Sequence, residues 1–303
     1  MNYESCTLCP RRCFADRTDH KTGSCGSTDT VRIGRAALHF YEEPCISGTR
    51  GSGAVFFTGC PLRCVYCQNA EISRKGTGRA LTVRELAEVF LKLQESGAHN
   101  LNLVTPTHFA PSIIEAAAIA KAQGFSLPIV YNTSGYETVE AVKALRGTVD
   151  VYLTDFKYGE SALAKAFSGA PDYPEVAMKA LGEMVRSIES STGGEPFAFD
   201  EHGLMKKGVI VRHLVLPGHI RNSKAVIRTL YEAYGDRIYM SIMNQFTPVV
   251  RNDIYPELNR RLTKREYDRV VDYALSLGVK NAFIQEGKTQ SASFIPVFDG
   301  SVL

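Results

Sequence analysis

Three cysteines spaced C-x-x-x-C-x-x-C, at Cys60, Cys64 and Cys67, constrain this chain more than any other feature. They follow an apolar run, Ala54–Thr58, that reads as a strand stopped by Gly59. A loop of that spacing can wrap a cubane of four irons and four sulfides. Three thiolates leave one iron without a protein ligand. A structural zinc site favours four ligands and C-x-x-C pairs, so a lone triad with no neighbouring histidine fits zinc poorly.

The vacant iron sets the expected chemistry. The amino and carboxylate groups of S-adenosylmethionine can chelate it, placing the sulfonium beside a one-electron donor. Electron transfer then breaks a carbon–sulfur bond and yields methionine and a 5′-deoxyadenosyl radical, which takes a hydrogen atom from a substrate. The cofactor supplies the radical, and the protein supplies position and exclusion of water. The rival from another class is a non-catalytic iron–sulfur electron-transfer protein.

From Gly53 onward, β-rich runs alternate with amphipathic helical stretches, the pattern of a parallel α/β sheet. Strands are expected at Ala54–Thr58, Leu101–Thr105, Pro128–Asn132, Val149–Thr154, Val209–Val215, Ile238–Ile242 and Asn281–Gln285. Thr82 and Glu85 form a capping-box pattern ahead of Leu86, Phe90 and Leu93, and Gly97 stops that helix. Further helices are expected at Ser112–Gln123, Glu137–Leu145, Glu175–Ser190, Ser223–Tyr234 and Thr263–Leu277. Right-handed crossovers wind such units into a partial TIM barrel of the (β/α)6 type, with an open doubly wound sheet as the alternative. The triad then lies at the C-terminal face of the first strand, where barrel sites are built. Phe197–Val215, broken at Glu201-His202-Gly203, reads as a hairpin whose second arm enters the barrel.

The organisation expected is a loop-rich, cysteine-rich extension over 1–52, the partial barrel over 53–290 and a tail over 291–303. The N-terminus lacks a signal-peptide pattern and no apolar run is long enough to span a bilayer, so the reducing cytoplasm is the expected compartment. A net charge of +3 is too mild to announce nucleic acid or an anionic membrane. The basic runs Pro10-Arg11-Arg12 and Met205-Lys206-Lys207 read as solvated surface. Cys6, Cys9, Cys13 and Cys25 give four thiols, enough for a closed site holding zinc or a second iron–sulfur cluster. Cys45 has no close partner in sequence.

On the triad and the strand ends that follow it, the chain resembles the radical S-adenosylmethionine superfamily, and within it the activating enzymes of the pyruvate formate-lyase type, from about Gly51 to Gln285. The resemblance implies that Tyr66, with Asn69 behind it, positions the adenine. Thr105-Pro106-Thr107-His108 stands where the family commonly has Gly-Gly-Glu, which implies that Thr105 and Thr107 meet the methionine amino group. Asn132-Thr133-Ser134-Gly135 stands in place of Asp-Thr-Asn-Gly, bringing Asn132 and Ser134 to the cofactor. In Thr154-Asp155-Phe156-Lys157 the lysine pairs with the cofactor carboxylate and Asp155 meets polar groups beside it; two apart on a strand, they share a face. Arg212 reaches the ribose or carboxylate, while Leu216 and Pro217 pack near the adenine. His213 and His219 read as structural histidines. Asn244 or Gln245 replaces a ribose-binding histidine, and Gln285-Glu286 ends the last strand near the substrate. An electron donor such as flavodoxin or ferredoxin is implied, and so is a glycyl radical enzyme as protein substrate. A peptide or small molecule is the alternative substrate.

Overall fold

The computed structural model describes residues 2–249, 251–285 and 296–302. In chain order the elements are β1 (Val31–His39), α1 (Pro44–Ser47), β2 (Ser52–Phe57), α2 (Ala70–Lys75), β3 (Arg79–Leu81), α3 (Val83–Glu95), β4 (Leu101–Val104), α4 (Ala110–Ala122), β5 (Ile129–Thr133), α5 (Val139–Ala144) and β6 (Val151–Asp155). Then come α6 (Ser161–Ser168), α7 (Tyr173–Ser191), β7 (Ala198–Phe199), β8 (Met205–Leu214), α8 (Ile220–Tyr234), β9 (Tyr239–Met243), α9 (Lys264–Leu277) and β10 (Ala282–Ile284).

The sheet runs β10-β9-β8-β6-β5-β4-β2-β1-β3, with β2 through β10 on that path mutually parallel. It stays open between β10 and β3, which makes it the partial barrel expected. The strands buried on both faces are near-continuous apolar runs; β2 is buried at all six positions. Helices cover them through apolar stripes. In α3, Leu86, Phe90 and Leu93 are buried, and each side chain of that size stabilises the fold by roughly 1.5–3 kcal/mol. The Thr82 hydroxyl accepts from the Glu85 amide while Glu85 accepts from the Thr82 amide at 2.8 Å, so the expected capping box starts the helix.

Two parts of the fold depart from the expectation. The extension up to residue 52 is not all loop: β1 lies antiparallel to β2 and carries β3 on its far side. A bulge between Ile33 and Arg35 breaks its alternation, and at Gly34 a Cβ would stand 2.4 Å from Ile72, so the bulge needs glycine. Helix α6 is the second, inserted between β6 and α7. The tail returns to the same edge: the Ala36 amide donates to Ser301 at 2.9 Å and Phe298 packs on Phe56 with ring centroids 5.5 Å apart. The hairpin formed by β7 and β8 turns where expected.

Candidate active site

The loop after β2 is shaped by backbone that few residues tolerate. Gly59 has φ +91°, and a Cβ there would meet Ser27 Oγ at 2.3 Å and the Cys25 carbonyl at 2.9 Å. The Cys60 amide donates to that Cys25 carbonyl at 3.1 Å, the Cys67 amide donates to the Cys64 carbonyl at 3.2 Å, and Arg63 turns the chain with φ +53°. Donors converge on the three sulfurs. The amides of Arg63 and Leu62 point at Cys60, Ser168 Oγ donates to Cys64 Sγ at 3.1 Å, and Ser73 Oγ to Cys67 Sγ at 3.4 Å. Burial, with Cys64 beside it, pushes the Cys60 thiol up to about 12 and raises Cys67 in the same way. Bare Cys60 and Cys67 are therefore neutral at pH 7, and bound iron would draw out their thiolates. Among the described residues no three His, Cys, Asp or Glu side chains are gathered as one metal ion would need.

A cavity of about 550 Å³ opens beside Cys64 and Cys67 at the C-terminal ends of the parallel strands. That volume suits a nucleotide-sized ligand. Its opposite wall is charged. Arg212 on β8 donates from Nε to Asp155 at 3.2 Å, from Nη1 to Glu42 at 2.9 Å and from Nη2 to Asn132 at 2.5 Å. Lys157 Nζ lies 2.5 Å from the other Asp155 oxygen, so the i, i+2 spacing does place both on one side. Burial pushes the Asp155 carboxyl up, but Lys157 and Arg212 outweigh it and hold it below the usual range. Glu43, also on the wall, is raised by burial, and its Oε2 has no hydrogen-bond partner among the described residues.

Tyr66, Asn69, Asn132, Asp155, Lys157, Arg212 and Gln245 all line this cavity with Cys64 and Cys67. Tyr66 is fixed in place by a chain of contacts: its hydroxyl accepts from Tyr158 at 3.0 Å, Tyr158 meets Ser168 at 2.7 Å, and Ser168 reaches Cys64. Thr105, Thr107 and Ser134 lie outside the lining. The chain leaves β4 at Thr105 with φ +59°, which ends the alternation, and Thr107 then turns into the core to bond Glu137 at 2.5 Å. Leu216 is buried away from the cavity, and His213 is satisfied between the Phe156 carbonyl at 2.7 Å and Ser223 Oγ at 2.9 Å. Gln285 lines the cavity and meets Gln245 at 3.1 Å; Glu286 lies outside the described residues. Arg11 is a correction to the solvated reading of its basic run: it donates to the carbonyls of Pro61, Gly169 and Ser168 at 2.9, 2.6 and 2.7 Å. Sequence reasoning missed His39, Tyr41, Glu42 and Glu43, which line the same cavity from the end of β1. The two short alternations Val31/Ile33 and Ala36/Leu38, put out of phase by the bulge, were the available signal.

The family described as the Radical SAM superfamily matches residues 54–194, a span that starts on β2 and takes in the triad, Asn132, Asp155 and Lys157. That span of the chain is a radical SAM domain. Membership implies a [4Fe-4S] cluster and S-adenosylmethionine, and the residues present suit both: three donor-dressed thiols, two of them, Cys64 and Cys67, lining a cavity whose charged wall holds the cationic pair Lys157 and Arg212. An uncharacterized protein of Methanocaldococcus jannaschii is 28% identical over 282 residues, 90% of this chain and 75% of that one. A pyruvate formate-lyase-activating enzyme of Clostridium pasteurianum is 25% identical over 181 residues, 58% of this radical SAM chain and 66% of its own length. The crystal structure of a radical SAM methyltransferase from Sphaerobacter thermophilus shares the fold, with a TM-score of 0.54 at 15% identity over 80% of this chain and 68% of that one. Among the described residues no helix is long and apolar enough to cross a membrane.

Proposed function

We propose that this radical SAM enzyme abstracts a hydrogen atom from a glycine of a protein partner, so that its substrate is a glycyl radical enzyme. The observation that carries the reading is the juxtaposition of Cys64 and Cys67 with Asp155, Lys157 and Arg212 around one cavity. Similarity to a pyruvate formate-lyase-activating enzyme supports the choice of substrate.

Bound at the triad, the cluster and S-adenosylmethionine together supply a 5′-deoxyadenosyl radical. The rest is positioning by the chain. Cys60, Cys64 and Cys67 hold the cluster through their thiolates, and the amide and hydroxyl donors around them stabilise that charge. Lys157 Nζ is the cation for the methionine carboxylate, kept charged by Asp155. Asp155 and Arg212 fix each other and stiffen the wall against which the nucleoside lies. Tyr66 offers a ring face beside the last ligand, held by Tyr158 and by edge contacts with Phe167 and Phe246. Glu42 and Glu43, with Tyr41, stand at the β1 side of the cavity. That is where a loop of a partner approaches, and a reduced flavodoxin or ferredoxin is the proposed source of the electron.

The test is anaerobic reconstitution followed by reductant and S-adenosylmethionine. Formation of 5′-deoxyadenosine, lost in Cys64→Ala, is the expected result. An intact cluster that yields none points to the electron-transfer rival. A carbon-centred paramagnetic signal on a candidate glycyl radical enzyme is expected after incubation; label transfer confined to a small molecule would refute the protein substrate.

A further inference from the structure

Donors surround the four N-terminal thiols as they do the triad. Each sulfur faces a donor. Arg17 Nη1 lies 3.7 Å from Cys6 Sγ, the Arg11 amide points at Cys9, the amides of Ala15 and Ser24 point at Cys13, and the Ser27 amide points at Cys25. Cys9 lies within electrostatic reach of Cys6 and Cys25, and Cys13 Sγ and Cys25 Sγ both crowd Gly23, at 3.2 and 3.5 Å from where its Cβ would sit. Amide and guanidinium hydrogens aimed at sulfur on every member of a set of four would stabilise the charge of metal-bound thiolates.

Charge makes the same case independently. The Arg17 guanidinium is fully buried and donates to the carbonyls of Ser27, His108 and Thr28, yet among the described residues no carboxylate is within ion-pair distance. A buried cation without an anion is costly. Tetrathiolate metal centres carry net negative charge, and Arg17 Nη1 faces the sulfur of one member of the set, Cys6, at 3.7 Å.

We propose that Cys6, Cys9, Cys13 and Cys25 hold a second iron–sulfur cluster, fully ligated by protein and balanced by Arg17. An iron–sulfur cluster is favoured over zinc because these sulfurs, like those of the triad, are not gathered around one ion; in a cubane each thiolate binds a different iron. The two centres meet at a peptide group, because the Cys25 carbonyl accepts from the Cys60 amide at 3.1 Å. Arg11 holds Pro61, and Ser27 Oγ reaches the Thr58 carbonyl at 3.3 Å. Ligation of the first segment therefore also sets the shape of the triad loop.

The experiment uses the full chain with Cys60→Ala, Cys64→Ala and Cys67→Ala, reconstituted anaerobically with iron and sulfide and read by iron and sulfide content and Mössbauer spectra. Retention of about four irons per chain is expected. A folded variant that binds no iron, or zinc alone, overturns the proposal. If that variant does not fold, the unaltered chain decides: about eight irons, falling to about four in Cys9→Ser, is expected, and about four in both overturns it. The count does not depend on S-adenosylmethionine cleavage, so failure of the proposed activity leaves this result readable.

Discussion

Replacing Arg212 by methionine tests the electrostatic core of the site. The guanidinium side chain is only 14% exposed and its carboxylate partners Glu42 and Asp155 are 8% and 17% exposed, so solvent screens these contacts weakly. At about 3 Å and an effective dielectric near 20, each pair interacts by roughly 5 kcal/mol before desolvation is counted. Removing one partner of such a set costs a net of about 3–5 kcal/mol, since two carboxylates remain buried against Lys157 alone. A chain of this size loses roughly 0.6 kcal/mol per kelvin at its midpoint, so Arg212→Met is expected to lower Tm by about 5–8 °C. Thermal melting of the apo chain by circular dichroism measures it free of cofactor effects. The loss should shrink by about 1–3 kcal/mol in an Asp155→Asn background, because the two side chains share one network. A Tm within about 1 °C of the parent, or strict additivity with Asp155→Asn, would refute the network as a structural element.

Gly59→Ala should cost about 2–5 kcal/mol, from left-handed backbone and from a methyl placed 2.3 Å from Ser27 Oγ, and should reduce iron at the triad; unchanged melting and iron would show that the loop has room. His213 is buried and neutral, with burial lowering it to about 4. Its unfolded form titrates near 6.5, so its contribution is complete above that pH and is lost as pH falls toward 4, up to roughly 3 kcal/mol. Urea midpoints at pH 7 and pH 5 should therefore differ less in His213→Gln than in the parent, and an equal difference would count against the assignment. Thr105→Gly relieves a β-branched residue at φ +59° and should change stability by no more than about 1 kcal/mol in either direction, strain relief offsetting added chain entropy; a larger loss in a urea titration would mean that the threonine side chain is needed.

What the sequence made legible was whatever depends on local pattern. The parallel strands announced themselves as short apolar runs ending in glycine or polar residues, and Thr82 with Glu85 marked the start of α3 to the residue. Asp155 and Lys157 were legible through their resemblance to the family's Asp-x-Lys, with which their two-residue spacing at the end of β6 agrees. Thr105 and Thr107, placed by the same resemblance, lie outside the cavity lining, where positive φ at the strand end turns the chain. Glu42 and Glu43 were invisible for another reason. Their role comes from the lateral packing of β1, which sets an acidic pair opposite an arginine 170 positions away, and the bulge at Gly34 disguised that strand as loop.

The extension also reverses the usual relation between a core and its appendage. Arg11, Cys25 and Ser27 touch Pro61, Cys60 and Thr58 in turn, so the segment with few apolar side chains of its own fixes the loop that carries the triad. In the other direction, Phe109 packs over Arg17 and the His108 carbonyl accepts from it, so helix α4 and the turn before it brace the N-terminal loop. Each part supplies what the other lacks: the barrel gives the extension a buried surface, and the extension gives the triad loop backbone partners. Losing order in the first 30 residues should therefore be felt first at Cys60, before any strand of the sheet is disturbed.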